Sequence, residues 1–494
     1  MDQSGKYEAL PQHQPDTQAR RRVDEDGPRP RRRVGILHVL GLLILFTTVF
    51  SLCFRAPLRT FALVDPEDAV ASDASLCMDQ LAYSMRAAEV IAFGPSQSLS
   101  IREKIDTNRT HGGHGPRHST RVFGSIVLVP DDASPAGGRI ELDIASNVED
   151  PGVEVRFHPD SQALTVLTNP WVENDSRRQV CVQMRIAAYV PRRSELDSII
   201  VEADHLDITI SDGLDMRVAR SAALASVVGT VAAGAAGAAG QPHSYALGAP
   251  DIRVHTVDGD VRGWFALHDA LTIKTISGRV DVDVSPLPHA DGKAPGSPAA
   301  LHVSSVSGRL GVREALREGE ALPLDRHYAV RVASTAGGIA ARLAFADATL
   351  ESQSGDIDAE LLPVPVPVPV TEGRHPEEDD GSPQLRLLTS SKSGRSRIRV
   401  LAPRPTGEAA NGPAMTLLSR HDSLSGRIDA AYPAAWEGGF AMKSVSGKLA
   451  VRGEGVRWTG GGRFLPRLTG SKGAGPSRLE MESISGNQSL TFGQ

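Results

Sequence analysis

The sequence predicts a mainly β protein, with one transmembrane helix near the N-terminus followed by a β-solenoid-like or stacked β-sheet repeat domain outside the membrane. Three observations support this fold class. The chain contains an uncharged apolar segment at 34–54, apolar residues alternate with polar ones from about residue 122, and a Thr/Ser-x-Ser-Gly phrase recurs through the C-terminal half. Gly (48) and Pro (33) are plentiful, which favours turns and strands over long helices.

The segment 34–54, VGILHVLGLLILFTTVFSLCF, is long enough to cross a hydrocarbon core of about 30 Å as a helix. A long polar stretch precedes it, which distinguishes it from a cleaved signal peptide; a buried core helix is the alternative. Seven arginines lie between residues 20 and 33, whereas only Arg55 and Arg59 follow closely. The positive-inside rule therefore predicts a single-pass type II signal-anchor protein, with residues 1–33 as a disordered cytosolic tail and the C-terminal part lumenal or extracellular.

Asparagine and cysteine positions agree with this orientation. Three glycosylation sequons lie beyond the predicted span, at Asn108, Asn174 and Asn487. Of three cysteines, Cys77 and Cys181 lie on the far side of the membrane, where an oxidising compartment would allow a disulfide between them. Two buried free thiols are the alternative.

The remainder of the chain divides by composition. Residues 55–120 are interpreted as a stalk and entry segment. Residues 121–260 carry short β-branched runs typical of antiparallel strands and turns, with an Ala/Gly-rich insertion at 221–240 that is too poor in Leu and Ile to favour a second span. Residues 261–494 are predicted to form the repeat β domain, with Pro-rich loops such as 363–383.

Eight copies of the phrase align on a glycine. Three residues before it every copy has Ser or Thr, and four residues after it every copy is apolar. Positions two and four after the glycine share one strand face, so stacked copies would build one continuous core. Glycine serves either a positive φ or a close backbone approach at the turn. The structural turn glycines are Gly278, Gly308, Gly337, Gly355, Gly394, Gly426, Gly447 and Gly486.

The Thr/Ser-x-Ser-Gly-x-aliphatic phrase resembles the repeats of the putative-adhesin family of unknown function, known mainly from bacterial and fungal surface proteins. The stretch AAYVPRRSELDSIIVEADHLDITIS at 187–211 also resembles that family's entry into its repeats. The resemblance covers roughly 180–490 and implies a β-solenoid-like or stacked β-sheet domain.

The chemical alternatives are weak. Eight near-copies of a serine indicate architecture rather than one nucleophile, and no Gly-x-Ser-x-Gly elbow is present. His111, His114 and His118 lie in a Gly-rich loop without a nearby carboxylate or cysteine. A calcium site is the stronger chemical alternative, because several aspartates lie near the turns. In five copies, however, a cationic side chain directly follows the glycine. The aspartates are Asp258, Asp260, Asp281, Asp283, Asp356, Asp358 and Asp429.

We therefore expect a membrane-anchored surface protein of adhesion, scaffolding or matrix-interaction type, with no catalytic, metal or cofactor residues and no cofactor. The expected partners are the membrane and cell-wall or matrix glycans or surface proteins. A net charge of −6 argues against nucleic acid. The alternative is a glycan-processing enzyme on a β-helix scaffold, which would need paired carboxylates and usually aromatic platforms.

Overall fold

The computed structural model describes residue 77 and residues 81–107, 117–132, 137–173, 179–234, 245–288, 298–314, 326–364, 384–402, 416–460 and 466–493. These residues form strands joined by turns, and the prediction of a mainly β fold is confirmed. The first fifteen strands are β1 (Tyr83–Ile91), β2 (Ser98–Ile105), β3 (Arg117–Asp131), β4 (Gly138–Ser146), β5 (Val153–His158), β6 (Ala163–Thr168), β7 (Trp171–Glu173), β8 (Val180–Pro191), β9 (Ser194–Ala203), β10 (Asp207–Ile210), β11 (Asp215–Ser226), β12 (Val231–Ala232), β13 (Ala246–Gly248), β14 (Asp251–Thr256) and β15 (Val261–Leu267). A 3₁₀ turn at Pro159–Ser161 separates β5 from β6.

The strands of the repeat region follow in the same alternating order. They are β16 (Ala270–Thr275), β17 (Val280–Pro286), β18 (Ala299–Ser305), β19 (Leu310–Glu314), β20 (Tyr328–Ser334), β21 (Ile339–Phe345), β22 (Asp347–Ser352), β23 (Ile357–Pro363), β24 (Gln384–Ser391), β25 (Ser396–Val400), β26 (Thr416–Ser423), β27 (Ile428–Tyr432), β28 (Gly438–Ser444), β29 (Leu449–Arg452), β30 (Val456–Gly460), β31 (Arg467–Lys472), β32 (Ser477–Ser483) and β33 (Gln488–Phe492).

Two large mixed sheets contain these strands. Sheet A has the order β1-β4-β8-β3-β10-β12-β15-β17-β19-β21-β23-β25-β27-β33-β29, with β7 paired to β3. Sheet B has the order β5-β6-β2-β9-β11-β14-β16-β18-β20-β22-β24-β26-β32-β28-β31-β30, with β13 paired to the first part of β11. From β10 to β29 in sheet A, every neighbouring pair is parallel.

The chain builds the two sheets by alternating between them. A strand of sheet B ends at the hydroxyl residue of the phrase, the Ser-Gly turn follows, and the next strand lies in sheet A. Equivalent residues of successive coils stack in register, as Thr275 does on Ser305 and Val282 on Val312. Because both sheets alternate buried with exposed residues, their inner faces form one apolar core between them.

The coil order departs from chain order at the C-terminal end. β32 pairs with both β26 and β28, and β33 pairs with both β27 and β29. The last coil of the chain therefore lies between two earlier coils. The hairpin of β30 and β31 runs along the outer edge of β28 in antiparallel pairing, so it covers that edge of sheet B.

The N-terminal half differs in part from two predictions. Residues 83–91 and 98–105, assigned above to the stalk and entry segment, are strands β1 and β2, and β2 lies between β6 and β9 in sheet B. Ser72–Gln494 accordingly clusters as one compact unit. The antiparallel pairing predicted for this region is confirmed for β4 with β8, for β5 with β6 and for β3 with β7, but β3 pairs in parallel with β8 and β10. Alternation reveals that a segment is a strand, but it does not reveal the direction of a distant partner.

The prediction of an Ala/Gly-rich insertion at 221–240 is also wrong for residues 221–234. They complete β11 and form β12, and Ala222, Leu224 and Ser226 face the core in strict alternation. Small residues have weak strand preference, but β9 and β14 pair with β11 on both sides and supply its hydrogen bonds. The rest of the predicted insertion, 235–244, lies outside the described residues.

The predicted span at 34–54 lies outside the described residues. Within the described ranges, no helix has the length and hydropathy needed to cross a bilayer. Cys77 and Cys181 form a disulfide with a Cα–Cα distance of 5.8 Å, and both side chains are buried. The disulfide closes a separation of 104 residues between the N-terminal part of the described unit and the start of β8.

Candidate binding surface on sheet B

The turn glycines lie in one column along the edge where sheet B passes into sheet A. A Cβ on Gly308 would lie 1.8 Å from the carbonyl oxygen of Gly278, and a Cβ on Gly337 would lie 1.9 Å from that of Gly308. Their φ angles lie outside the left-handed region, so close backbone approach, not positive φ, requires glycine here. The column contains, in spatial order, Gly229, Gly259, Gly278, Gly308, Gly337, Gly355, Gly394, Gly426, Gly486 and Gly447.

Gly229 and Gly259 belong to the same column, but they are not among the eight glycines identified from the repeated phrase. Their phrases read SVVG and TVDG, so the residue just before each glycine is not serine. The hydroxyl residue three positions earlier is retained, at Ser226 and Thr256. Aligning on that residue and the glycine alone would have found both copies.

The hydroxyl three residues before the glycine closes the turn locally in the column, except at Thr256, whose buried hydroxyl has no hydrogen-bond partner among the described residues. Ser305 Oγ accepts the backbone N–H of Gly308 at 2.8 Å, and Ser444 Oγ accepts that of Gly447 at 2.8 Å. These side chains are buried and act as backbone hydrogen-bond partners. This use of the serines is structural, as their repetition suggested.

The residue two before the glycine points outward and is often a large aliphatic. Ile276 is 50% exposed, and Leu424, Val445 and Ile484 are each just over half exposed. In three middle coils the same position is polar, at Thr335, Gln353 and Lys392. Exposed aliphatic side chains in adjacent coils are unusual on a soluble surface and indicate a contact site.

A groove runs beside this edge on the outer face of sheet B. It consists of a cavity of about 530 Å³ over the ends of β24, β26, β32 and β28, and one of about 370 Å³ over the ends of β18, β20, β22 and β24. The two share Ser390 and Lys392. At a strand spacing of about 4.8 Å, the seven strands give a groove of roughly 29 Å. We call this the sheet B groove.

The wider half of the groove combines apolar and charged side chains. Leu424, Val445 and Ile484 lie on one wall. Lys443 Nζ lies 2.6 Å from Glu482 Oε1, and this hydrogen bond lowers the pKa of the Glu482 carboxyl. The surface is therefore amphipathic and is suited to hold an extended chain along the coil axis.

Further charges line the same half. Arg420 Nε donates to Asp422 Oδ2 at 2.8 Å, and Arg467 enters from β31. Among the described residues, neither Lys392 nor Arg467 has a carboxylate partner within ion-pair distance. The groove thus carries a small excess of positive charge.

The aspartates considered for calcium lie mostly on the outer face of sheet A and contact arginines or backbone. Asp283 Oδ1 accepts from Arg313 Nε at 3.0 Å, and Asp429 Oδ2 accepts from Arg395 Nη2 at 2.7 Å. Asp260 Oδ1 accepts the backbone N–H of Arg279 at 2.7 Å. In the described ranges, no three His, Cys, Asp or Glu side chains are grouped to hold a metal ion.

The other predicted site residues are dispersed. Asn487 is exposed at the last Ser-Gly turn, and its Oδ1 accepts the backbone N–H of Lys448 at 2.9 Å. The Asn108 and Asn174 sequons and the side chains of the histidine loop lie outside the described residues. No sequence motif singled out the groove. The aliphatic residue inside the Ser-x-Ser-Gly phrase was the available signal.

Comparison with known proteins adds little. No family model matches the chain, and no curated protein matches it. A crystal structure of a "putative cell adhesion protein" from Clostridium sporogenes is similar over 83% of this chain and 100% of that chain. The identity is 7% and the TM-score 0.13, so this likeness carries no argument about fold or function.

Proposed function

We propose that the chain is a single-pass, type II membrane-anchored surface protein that acts in adhesion, scaffolding or matrix interaction without catalysis. The sheet B groove is its contact surface. The observation that carries the proposal is the row of half-exposed aliphatic side chains, Leu424, Ile484 and Val445, in an open groove. Beside them lie two cations that have no carboxylate partner among the described residues, Lys392 and Arg467. An open groove across seven parallel strands fits an extended segment of a cell-surface or matrix partner.

The disulfide supports an oxidising location, since such bonds persist mainly in secreted and cell-surface proteins. The exposed sequon at Asn487 fits the same side of a membrane. The expected orientation has a direct check in cells expressing the full chain. Enzymatic deglycosylation should lower the mass, and protease added to intact cells should cleave the C-terminal part. No mass shift together with a protected C-terminal part would contradict the orientation.

A glycan-processing enzyme is the alternative. Asp422 and Glu482 are adjacent carboxylates in the groove, paired across β26 and β32. A glycosidase needs one carboxyl with a raised pKa as the general acid. Lys443 lowers the pKa of Glu482, which is the wrong direction for that role. Turnover of a soluble polysaccharide that is lost in Glu482→Gln would nevertheless favour the enzyme.

The groove is tested with cells displaying the full chain. Leu424→Asp combined with Val445→Asp should lower retention of the cells on untransfected cells or matrix under flow by about tenfold, because each places a charge where apolar contact is expected. Ile276→Asp is the matched control, since it occupies the same turn position outside the groove. Equal retention of cells displaying the parent, the double variant and the control variant would refute the groove as the contact surface.

A further inference from the structure

A second feature of sheet B lies away from the wide half of the groove. Five basic side chains lie on the outer face of four neighbouring strands, β14, β16, β18 and β20, and we call them the basic patch. They are Arg253, His255, Lys274, His302 and Arg331. In the strand register His255 lies opposite Lys274, and His302 lies opposite Arg331. All are exposed except His302, which is half-buried.

The patch is incompletely neutralised. Arg253 pairs with Asp251, and Arg331 Nη2 lies 2.9 Å from Glu351 Oε2. Among the described residues, no carboxylate lies within ion-pair distance of Lys274. Three cations against two carboxylates leave a net charge of +1 when both histidines are neutral, and +3 when both are protonated.

The charged groups that shift the pKa of the two histidines are cations. Partial burial lowers the pKa of His255, and Lys274 and Arg253 lower it further. Partial burial likewise lowers the pKa of His302, with Lys274 and Arg331 adding to the effect. An anion placed over Lys274 would reverse the electrostatic part of both shifts, because it would favour the imidazolium forms.

The remaining neighbours of the histidines are uncharged. On one side of His255, β11 presents Ala225 in register. Between the histidine strands, β16 presents Thr272 opposite His302, and β18 presents Ser304 opposite Lys274. On the far side, β20 presents Ala333 next to Ser304. No acidic side chain therefore faces either histidine directly from the strands that flank it.

The chemistry of the patch favours an acidic polysaccharide. Hydroxyls of Thr272 and Ser304 lie between the cations, where they can bond sugar hydroxyls. Cations two strands apart, such as Arg253 and His302, are separated by roughly 10 Å, so the patch presents spaced positive charges to a chain that carries repeated anionic groups. All four strands are paired on both edges, so a peptide cannot add as a further strand. The patch residues include no Phe, Tyr or Trp, the side chains that most often stack on nucleobases.

We propose that the basic patch binds an extended acidic polysaccharide, and that its affinity rises as the medium becomes acidic. The inference goes beyond the proposed function, because it concerns different residues from the wide half of the groove and the two can fail separately.

The probe is polygalacturonate, whose carboxylates stay ionised through the range used, with dextran as the uncharged comparison. Binding to the full chain in detergent would be measured by calorimetry at about pH 5.5 and about pH 7.5, where an ordinary histidine changes charge. We expect the dissociation constant to be about tenfold lower at the acidic pH, from two additional charges next to the ligand. Dextran should show no binding at either pH.

Variants assign the effect to residues. His255→Asn combined with His302→Asn should remove the pH dependence and leave affinity at the higher pH unchanged. Lys274→Gln should weaken binding at both pH values. Lys448→Gln, an exposed lysine on another part of the surface, should behave as the parent does.

Several outcomes would overturn the inference. Unchanged binding in Lys274→Gln would mean that the patch is not the site, and equal binding of dextran would mean that charge is not recognised. Polyglutamate bound as tightly as polygalacturonate would contradict the polysaccharide class. If Lys274→Gln lost polygalacturonate binding but the cells were still retained, the groove proposal would stand without the patch. If the groove variants lost cell retention while polygalacturonate binding persisted with its expected dependence on Lys274, the two proposals would both stand, and if retention did not depend on the groove residues, only the patch would remain.

Discussion

Gly447 lies against the carbonyl oxygen of Gly486, so that a Cβ on Gly447 would come within 1.9 Å of that oxygen. Gly486 in turn lies against Gly426. The turn that comes last in the sequence therefore stands between two earlier turns, and the same inversion appears in the strand pairing. The contact between Gly447 and Gly486 therefore explains why residue 447 must be small. It also shows the order in which the C-terminal coils are stacked.

Replacing a column glycine with alanine should destabilise the fold. Gly337→Ala would push a Cβ to 1.9 Å from Gly308 O, and the backbone must shift at a cost of about 1–3 kcal/mol. Gly338→Ala is the matched control, since its nearest contact would be an ordinary 3.6 Å. Urea unfolding of the full chain measures both. Equal unfolding free energies would show that the glycine column does not restrict side-chain size.

Removing the last coil should affect more than that coil. A chain ending at residue 475 lacks β32 and β33, so β26 and β28 lose the strand between them. We expect hydrogen exchange to become fast in 438–452 as well as in the edge strands β26 and β27. Ile484→Ser, an exposed change in the same coil, should leave protection as it is. Protection retained in 438–452 after truncation would contradict the inverted coil order.

Glu314 should make stability fall as pH rises. The side chain is 3% exposed, burial raises its pKa to about 7 from 4.5, and one carboxyl oxygen accepts the N–H of Ala344 at 2.8 Å. Because the pKa of Glu314 is higher in the folded state, its contribution to stability is fully present below pH 4.5 and is lost as the pH rises to about 7. Glu314→Gln keeps the acceptor without the charge. Its unfolding free energy relative to the parent should increase over this window by up to about 3 kcal/mol. A constant difference would refute the assignment.

His421 should act in the opposite direction. It is fully buried, with Nδ1 2.7 Å from Thr389 Oγ1 and Nε2 2.8 Å from Tyr432 Oη, and burial lowers its pKa to about 4. The folded state therefore holds it neutral, and its contribution is present above 6.5 and lost as pH falls toward 4. His421→Gln should gain stability relative to the parent as pH falls through that window, measured by the same urea series. A difference that does not change with pH would contradict this role.

The disulfide should contribute to stability through the unfolded state. Replacing Cys77 and Cys181 with serine releases a separation of 104 residues, and we expect a loss of about 2–4 kcal/mol in the unfolding free energy. Reduction of the parent protein should lower its melting temperature to that of the double variant. If the parent and the variant melted together under oxidising conditions, the bond would not stabilise the fold.

The sequence predicted local properties well. Alternation identified the strands, and the fixed spacing around each glycine identified the turns and their inward residues, such as Val282 and Val312. It failed at 221–234, where alanines form strands that depend on flanking partners, and at 83–105, where β1 and β2 precede the obvious pattern. The sheet B groove could not be predicted from the sequence, because its residues come from seven strands that are distant in sequence.

By itself, the sequence determined that the chain alternates strands with Ser-Gly turns, because side-chain alternation, turn hydroxyls and glycine act over a few neighbouring residues. The tertiary structure decided which coils are neighbours. It placed the last coil between two others, gathered ten glycines into one column, and brought His255, Lys274 and His302 onto one surface. Parallel pairing between distant strands carries no local signature, since any strand with a compatible face can occupy the adjacent position.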